Sequence, residues 1–117
     1  MRKGYYGEYR GKKLLQTKYG SNNVFKIAIG SHAGDFIILK PKSPEIEKIV
    51  EIKTTKRKKW YPSRREKKQF LLLKNLAEEH NILVEYWIKE GNADFKILSL
   101  DDVADQYFGG LDEEGDE

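Results

Sequence analysis

Residues 30–53 read GSHAGDFIILKPKSPEIEKIVEIK, and this stretch decides the fold. Two apolar runs, Phe36-Ile37-Ile38-Leu39 and Ile49 to Lys53, flank a segment from Lys40 to Glu47 that contains Pro41, Ser43 and Pro44. Short apolar runs bounded by turn residues read as strands buried on both faces, so the pair predicts an antiparallel hairpin. Asp35 opens the first strand and Glu51 sits inside the second. A carboxylate buried in such a strand costs several kcal/mol, as an order of magnitude, unless it is paired or bound to a metal.

Residues two apart on a strand share a face, so Glu51 and Lys53 project together, opposite Val50 and Ile52. The hairpin brings Asp35 near them. Two carboxylates, with a backbone carbonyl from Ile52, suit a hard cation such as Mg²⁺, with Mn²⁺ able to substitute. Lys53 beside them is placed to orient an attacking water and offset phosphate charge. The chemistry implied is metal-dependent hydrolysis of a phosphodiester.

Gly34-Asp35, a gap, then Glu51-Ile52-Lys53 resembles the signature of the PD-(D/E)XK nuclease superfamily, with Gly34 in place of the usual proline. The flanks extend the likeness: an N-terminal helix carrying Glu8, a Gly-Ser loop before the aspartate, and a basic helix with Gln69 after the motif. That order, over roughly residues 4–99, is most similar to archaeal Holliday junction resolvases and their close relatives. The resemblance implies a restriction-endonuclease-like α/β core with Asp35, Glu51 and Lys53 catalytic. It also implies Glu8 as an accessory acid and metal ligand, and Ser31 as a loop residue near the scissile phosphate. Four-way or other branched DNA as substrate, a role in recombination and repair, and a two-fold homodimer making paired cuts follow from the same likeness. The loop Gly30-Ser31-His32-Ala33-Gly34 is shorter and less basic than that of the resolvases.

The 117 residues suit one domain, over 1–108, with an acidic and disordered tail at 109–117. With no apolar run near 18 residues and no signal-peptide pattern, a soluble cytoplasmic protein is expected, away from membranes. Zero cysteines and two isolated histidines exclude disulfides and thiolate sites and disfavour zinc, leaving oxygen ligands for a hard metal.

The net charge of +3 hides a segregation. Residues 1–68 hold 19 Lys/Arg against 6 Asp/Glu, a balance of +13, and residues 69–117 hold 3 against 13, a balance of −10. Such a split points to a polyanion partner on one face, where an ordinary charge-rich surface intersperses its signs. The most basic run, Lys56-Arg57-Lys58-Lys59, precedes Trp60-Tyr61, a pattern suited to gripping phosphates and stacking on a sugar or base. The alternative for the two aromatics is packing beneath the loop. Arg64, Arg65 and Lys68 of the following helix, and Arg10 of the first, complete the expected nucleic-acid surface.

Ser63 and Glu66 form a capping box that starts a helix running to about His80, with Phe70, Leu72, Leu73, Leu76 and Ala77 as its apolar stripe. Arg64, Arg65, Lys67 and Lys68 crowd the positive end of its dipole and Glu78 and Glu79 the negative end, each unfavourable by roughly 0.3–1 kcal/mol. A phosphate bound at the helix start reverses that balance. Gln69, one turn in, is placed to contact phosphate or its water, or is simply a polar helix position.

Elsewhere, residues 4–19 predict a helix whose Gly4, Gly7, Glu8, Gly11, Leu14 and Leu15 share one face, the glycines marking a close approach. Glu8 then points into the site or bonds Lys12 one turn on. Val24 to Ile29, Ile82 to Ile88 and Asp94 to Leu98 predict further strands, the last with Phe95 and Ile97 inward. Leu100 to Tyr107 predicts a short helix capped by Ser99. The whole is an α/β domain with a central mixed sheet of about five strands flanked by helices. Rival functions are a repair or restriction-type nuclease on duplex, flap or damaged ends, a catalytically silent nucleic-acid-binding module, and a basic domain that assembles with another protein.

Overall fold

The computed structural model describes the backbone of residues 3–29 and 32–109, and side chains over 7–27 and 36–109. Its elements are α1 (Lys3–Tyr19), β1 (Val24–Ile29), β2 (His32–Leu39), β3 (Ile46–Thr55), α2 (Arg64–His80), β4 (Leu83–Glu90), β5 (Lys96–Ser99) and α3 (Leu100–Tyr107). The strands form one five-stranded sheet in sequence order. β1, β2 and β3 make an antiparallel meander, α2 carries the chain over to a parallel β3–β4 pair, and β5 returns antiparallel. The expected α/β architecture with a central mixed sheet is therefore present. No helix among the described residues is long and apolar enough to cross a membrane.

Strand alternation divides the core in two. Ile49, Val84, Tyr86 and Ile88 meet Phe70 and Leu73 of α2 and Val103 of α3 on one face. Phe36, Ile38, Val50, Ile52 and Trp87 meet Leu15 of α1 on the other. Both faces are covered, so β3 is central and its apolar run is buried, as its composition requires.

Local signals placed most boundaries. The Ser63–Glu66 capping box is complete, with Ser63 N–H donating to Glu66 Oε1 at 2.8 Å and Glu66 N–H to Ser63 Oγ at 3.2 Å. Asn81 ends α2 in the left-handed conformation, its N–H donating to the Ala77 carbonyl. Ser99 caps α3 by accepting from the Asp102 N–H. Other expectations are corrected. β3 runs longer at both ends than its apolar residues: near its start Lys48 is buried by an ion pair with Glu85 at 2.9 Å and lies over the Tyr19 ring, and at its end Thr54 and Thr55 pair with Lys89 and Glu90 of β4. His32 begins a strand instead of lying in a loop. Leu14 and Leu72 are exposed, since α1 and α2 each bury a narrower stripe than their apolar residues suggest. On β5 it is Leu98 that packs with the core, and Ile97 is exposed.

Gly7 and Gly11 of α1 do mark a close approach, and the surroundings of Gly4 lie outside the described residues. A β-carbon on Gly7 would collide with the side chain of Thr54, and one on Gly11 would lie 2.5 Å from Ile52 Cδ1. Thr54 is β-branched and stiff, whereas the tip of Ile52 can turn aside. Gly7→Ala is expected to lower stability by about 1–3 kcal/mol from overpacking despite its better helix propensity, and Gly11→Ala to cost less. Urea unfolding of the two variants checks the order. A stabilised Gly7→Ala would mean that α1 does not seat on β3 through this glycine.

Candidate active site

Glu51 is the most deeply placed acid of the described chain, with none of its surface exposed. It sits mid-strand in β3, on the face covered by α2, because Ile49 two residues earlier belongs to that core. Position 35 of β2 stands directly across the ladder from it. The hairpin therefore joins the two acids as the spacing predicted, at the level of backbone register.

Lys53 lies two residues on along the same face. Its Nζ is 2.9 Å from Glu51 Oε2 and 3.6 Å from Glu66 Oε2, and it donates to Gln69 Oε1 at 2.7 Å. The contact with Glu51 pairs the charges without the angle of a hydrogen bond, so neither Glu51 oxygen has a hydrogen-bond partner among the described residues. Gln69, 3% exposed, is no surface residue of the helix; it holds the ammonium of Lys53 and buries an Nε2 that has no partner.

Two residues join the cluster that sequence alone had not assigned to it. Tyr86 of β4 pairs in register with Glu51 and buries a hydroxyl that has no partner. A tyrosine between the apolar residues of β4 is a signal, because a buried O–H ordinarily finds a partner. Its location beside Glu51 became visible only with the parallel register. Glu66 does double duty, one oxygen closing the helix cap and the other facing Lys53. Among the described residues, all four buried side-chain polar atoms without a partner belong to Glu51, Gln69 and Tyr86.

Burial raises the carboxyl pKa of Glu51 from 4.5 to about 7; the Lys53 charge pulls the other way, and Glu66 and Glu8 add to the rise. Burial also raises that of the Tyr86 hydroxyl, with the charges of Glu51 and Glu66 adding to it. The ionised cluster carries more acid than base, the electrostatic setting that a cation neutralises.

Glu8 bonds Lys26 of β1 at 2.6 Å and not Lys12. It lies on the α1 side of the sheet, across from Lys53, although its charge still reaches Glu51. Ser31 lies outside the described residues, and of Asp35 only the backbone is described. Among the described residues no three His, Cys, Asp or Glu converge on one point. The fit to a cation thus rests on the buried Glu51 carboxylate, whose Oε2 is paired with Lys53, and on the acid in register with it.

On the loop after β3 and the start of α2, Lys56, Arg57, Lys58, Lys59, Arg64, Arg65 and Lys68 are exposed, and so is Arg10 on α1. None forms an ion pair with a described acidic group. Tyr61 is 65% exposed. Trp60 is not: its indole is buried against Tyr86 and Tyr107, with ring centroids 6.1 and 5.1 Å away, and the Trp60 backbone N–H donates to Glu90 Oε2 at 2.8 Å. The expectation that Trp60 stacks on a base is corrected, since the apolar ring gains more from closing the core under the basic loop. A scan of family models, a search of curated proteins and a search of solved structures each found no match to this chain.

Proposed function

We propose that this protein is a divalent-cation-dependent endonuclease that hydrolyses phosphodiester bonds in DNA, with a four-way junction as its preferred substrate. The observation that carries the proposal is the fully buried Glu51 carboxylate, which stands in register with Asp35, pairs with Lys53 at 2.9 Å and has no well-aligned hydrogen bond among the described residues. A structural acid in that position would be hydrogen-bonded. Junction preference rests on the resemblance to the resolvases and on the segregated positive charge of residues 1–68.

Glu51 and Asp35 would hold Mg²⁺, with the Ile52 carbonyl adjacent. Bound there, the ion supplies Lewis-acid polarisation of a phosphoryl oxygen and neutralises charge as phosphorus becomes pentavalent. Lys53 is held in place by Gln69 and keeps N–H donors free to orient the attacking water or a phosphate oxygen. Tyr86 stands in register with Glu51 across the β3–β4 pair and belongs to the core beneath the cluster. The exposed cations of residues 56–59 and of the α2 start bind the strand, their mutual repulsion relieved by its phosphates. Glu8 modulates the site through charge.

The test is cleavage of end-labelled four-way junction and matched linear duplex with Mg²⁺ or with EDTA. Paired symmetric nicks on the junction alone, lost in EDTA, are expected. Equal cutting of the duplex would replace junction selectivity by general nuclease activity, and binding without cutting would leave a silent binding module.

A further inference from the structure

Residues 69–117 hold only three Lys/Arg, and one of them, Lys96, opens β5 at a cleft of about 310 Å³ lined by Lys58, Lys59, Glu90, Lys96, Gln106 and Tyr107. The single acid in this lining is already engaged. Glu90 accepts from the Trp60 N–H at 2.8 Å and the Tyr107 hydroxyl at 2.7 Å through Oε2, and its Oε1 pairs with Lys96 at 3.1 Å. Lys58 and Lys59 have no described acidic partner. Three ammonium groups facing one carboxylate leave an excess of positive charge in a concavity, which focuses attraction on an anion.

The Tyr107 ring selects the kind of anion. Lys59 and Lys96 stand over it at 5.7 and 5.2 Å from its centroid. Its face is thus occupied by cations, which holds the two donors in place and denies the ring to a stacking base. A phosphate fits this lining better than a nucleobase.

The sheet then ties the cleft to the active site. Lys53 pairs in register with Ile88, and Ile88 with Lys96, so the two lysines lie in one row across β3, β4 and β5. Two strand spacings separate them by about 10 Å. That is on the order of three nucleotide steps along a duplex axis. Both lie on the α2–α3 face, since Glu66 and Gln69 of α2 contact Lys53 and Tyr107 of α3 lies against Lys96. Trp60 fills the space between the two sites, its ring against both Tyr86 and Tyr107.

We propose that the cleft between the basic loop, β5 and α3 binds a backbone phosphate of the DNA strand a few nucleotides from the cut, with Lys58, Lys59 and Lys96 as donors. It rests on the nuclease reading above and extends the DNA path into the acidic part of the chain. The test measures junction DNA affinity against salt for the full-length protein, Lys59→Gln, Lys96→Gln and Lys74→Gln. Losing one phosphate contact is expected to reduce the salt slope by about 0.9 and to weaken binding at low salt about 3- to 10-fold. Lys59→Gln and Lys96→Gln should both do so, and the loss in Lys96→Gln is the decisive one, since Lys96 lies on β5 outside the basic loop and the α2 start. Lys74→Gln, whose lysine pairs with Glu78 on α2, should not. Lys59 has no described acidic partner, so it carries the test if the loss of the Lys96–Glu90 pair unfolds the chain, which a thermal melt reveals. A full-length protein that cuts DNA while both cleft variants keep its slope would overturn this inference alone. A full-length protein that does not bind DNA would overturn the nuclease reading with it. An equal loss in Lys74→Gln would reduce the effect to general charge. Inorganic phosphate that changes Trp60 fluorescence while the DNA slope stays fixed would assign the cleft to a free anion and overturn the DNA assignment.

Discussion

Glu51→Gln is expected to cut the Mg²⁺-dependent cleavage rate by about 10³-fold or more while leaving junction affinity within about threefold at moderate salt. The substitution keeps the shape of the side chain and removes its charge. Metal-ion catalysis supplies several kcal/mol of stabilisation to the transition state, and each 1.36 kcal/mol is about tenfold in rate. Binding survives because the grip comes from the exposed Lys and Arg residues around the cluster, none of which touches Glu51. Single-turnover cleavage alongside an equilibrium binding assay separates the two effects. Glu8→Gln is the informative comparison. Because Glu8 is tied to Lys26 on the α1 side, its loss should be on the order of tenfold or less. Losses equal to those of Glu51→Gln would place Glu8 among the cation's ligands.

The same substitution should make the metal-free protein more stable at neutral and alkaline pH. In the unfolded chain Glu51 ionises near 4.5, and in the folded chain near 7. Between those values the folded state holds a proton that the unfolded state has lost, so stability falls as pH rises. Below about 4.5 the group is neutral in both states and costs nothing. Above about 7 it is ionised in both, and the full penalty of about 3 kcal/mol, at 1.36 kcal/mol per tenfold change in proton affinity, is present. Gln is never ionised, so in EDTA at pH 8 the variant is expected to gain up to about 3 kcal/mol, and at pH 4 nothing. Added Mg²⁺ should stabilise only the unsubstituted protein, by mass action on the folded state. Denaturant curves from pH 4 to 8 measure all of this. A variant less stable than the parent at pH 8 in EDTA would mean that the Lys53 contact outweighs the burial of the Glu51 charge, and the site would then read as a structural ion pair.

Much of this was legible before any coordinates. The Ser63–Glu66 box, the Ser99 cap, the strand from Val24 to Ile29 and the hairpin that sets Asp35 across from Glu51 are encoded in neighbours two to four residues apart. Chain sterics and hydrogen-bond geometry act over that distance, so those features read directly from the letters. The shared face of Glu51 and Lys53 follows from the same period. What the letters could not convey depends on which distant strand or helix arrives beside a residue. Lys48 fell between the expected turn and the expected apolar run until Glu85 of a parallel neighbour met it. Trp60 suited a binding surface until Tyr86, Tyr107 and Glu90 closed around it. Gln69 was a candidate from its place one turn into α2, but its partner Lys53 became visible only when α2 was laid over β3. Tyr86 and Lys96 were unremarkable letters until the β3–β4–β5 register set them in rows with Glu51 and Lys53. By itself, then, the sequence determined the elements, their caps and the local pairing of the acids, because those are short-range consequences of the chain. The tertiary structure alone decided which polar groups are buried without partners and which cations converge, because burial and long-range register arise only when the whole sheet is assembled.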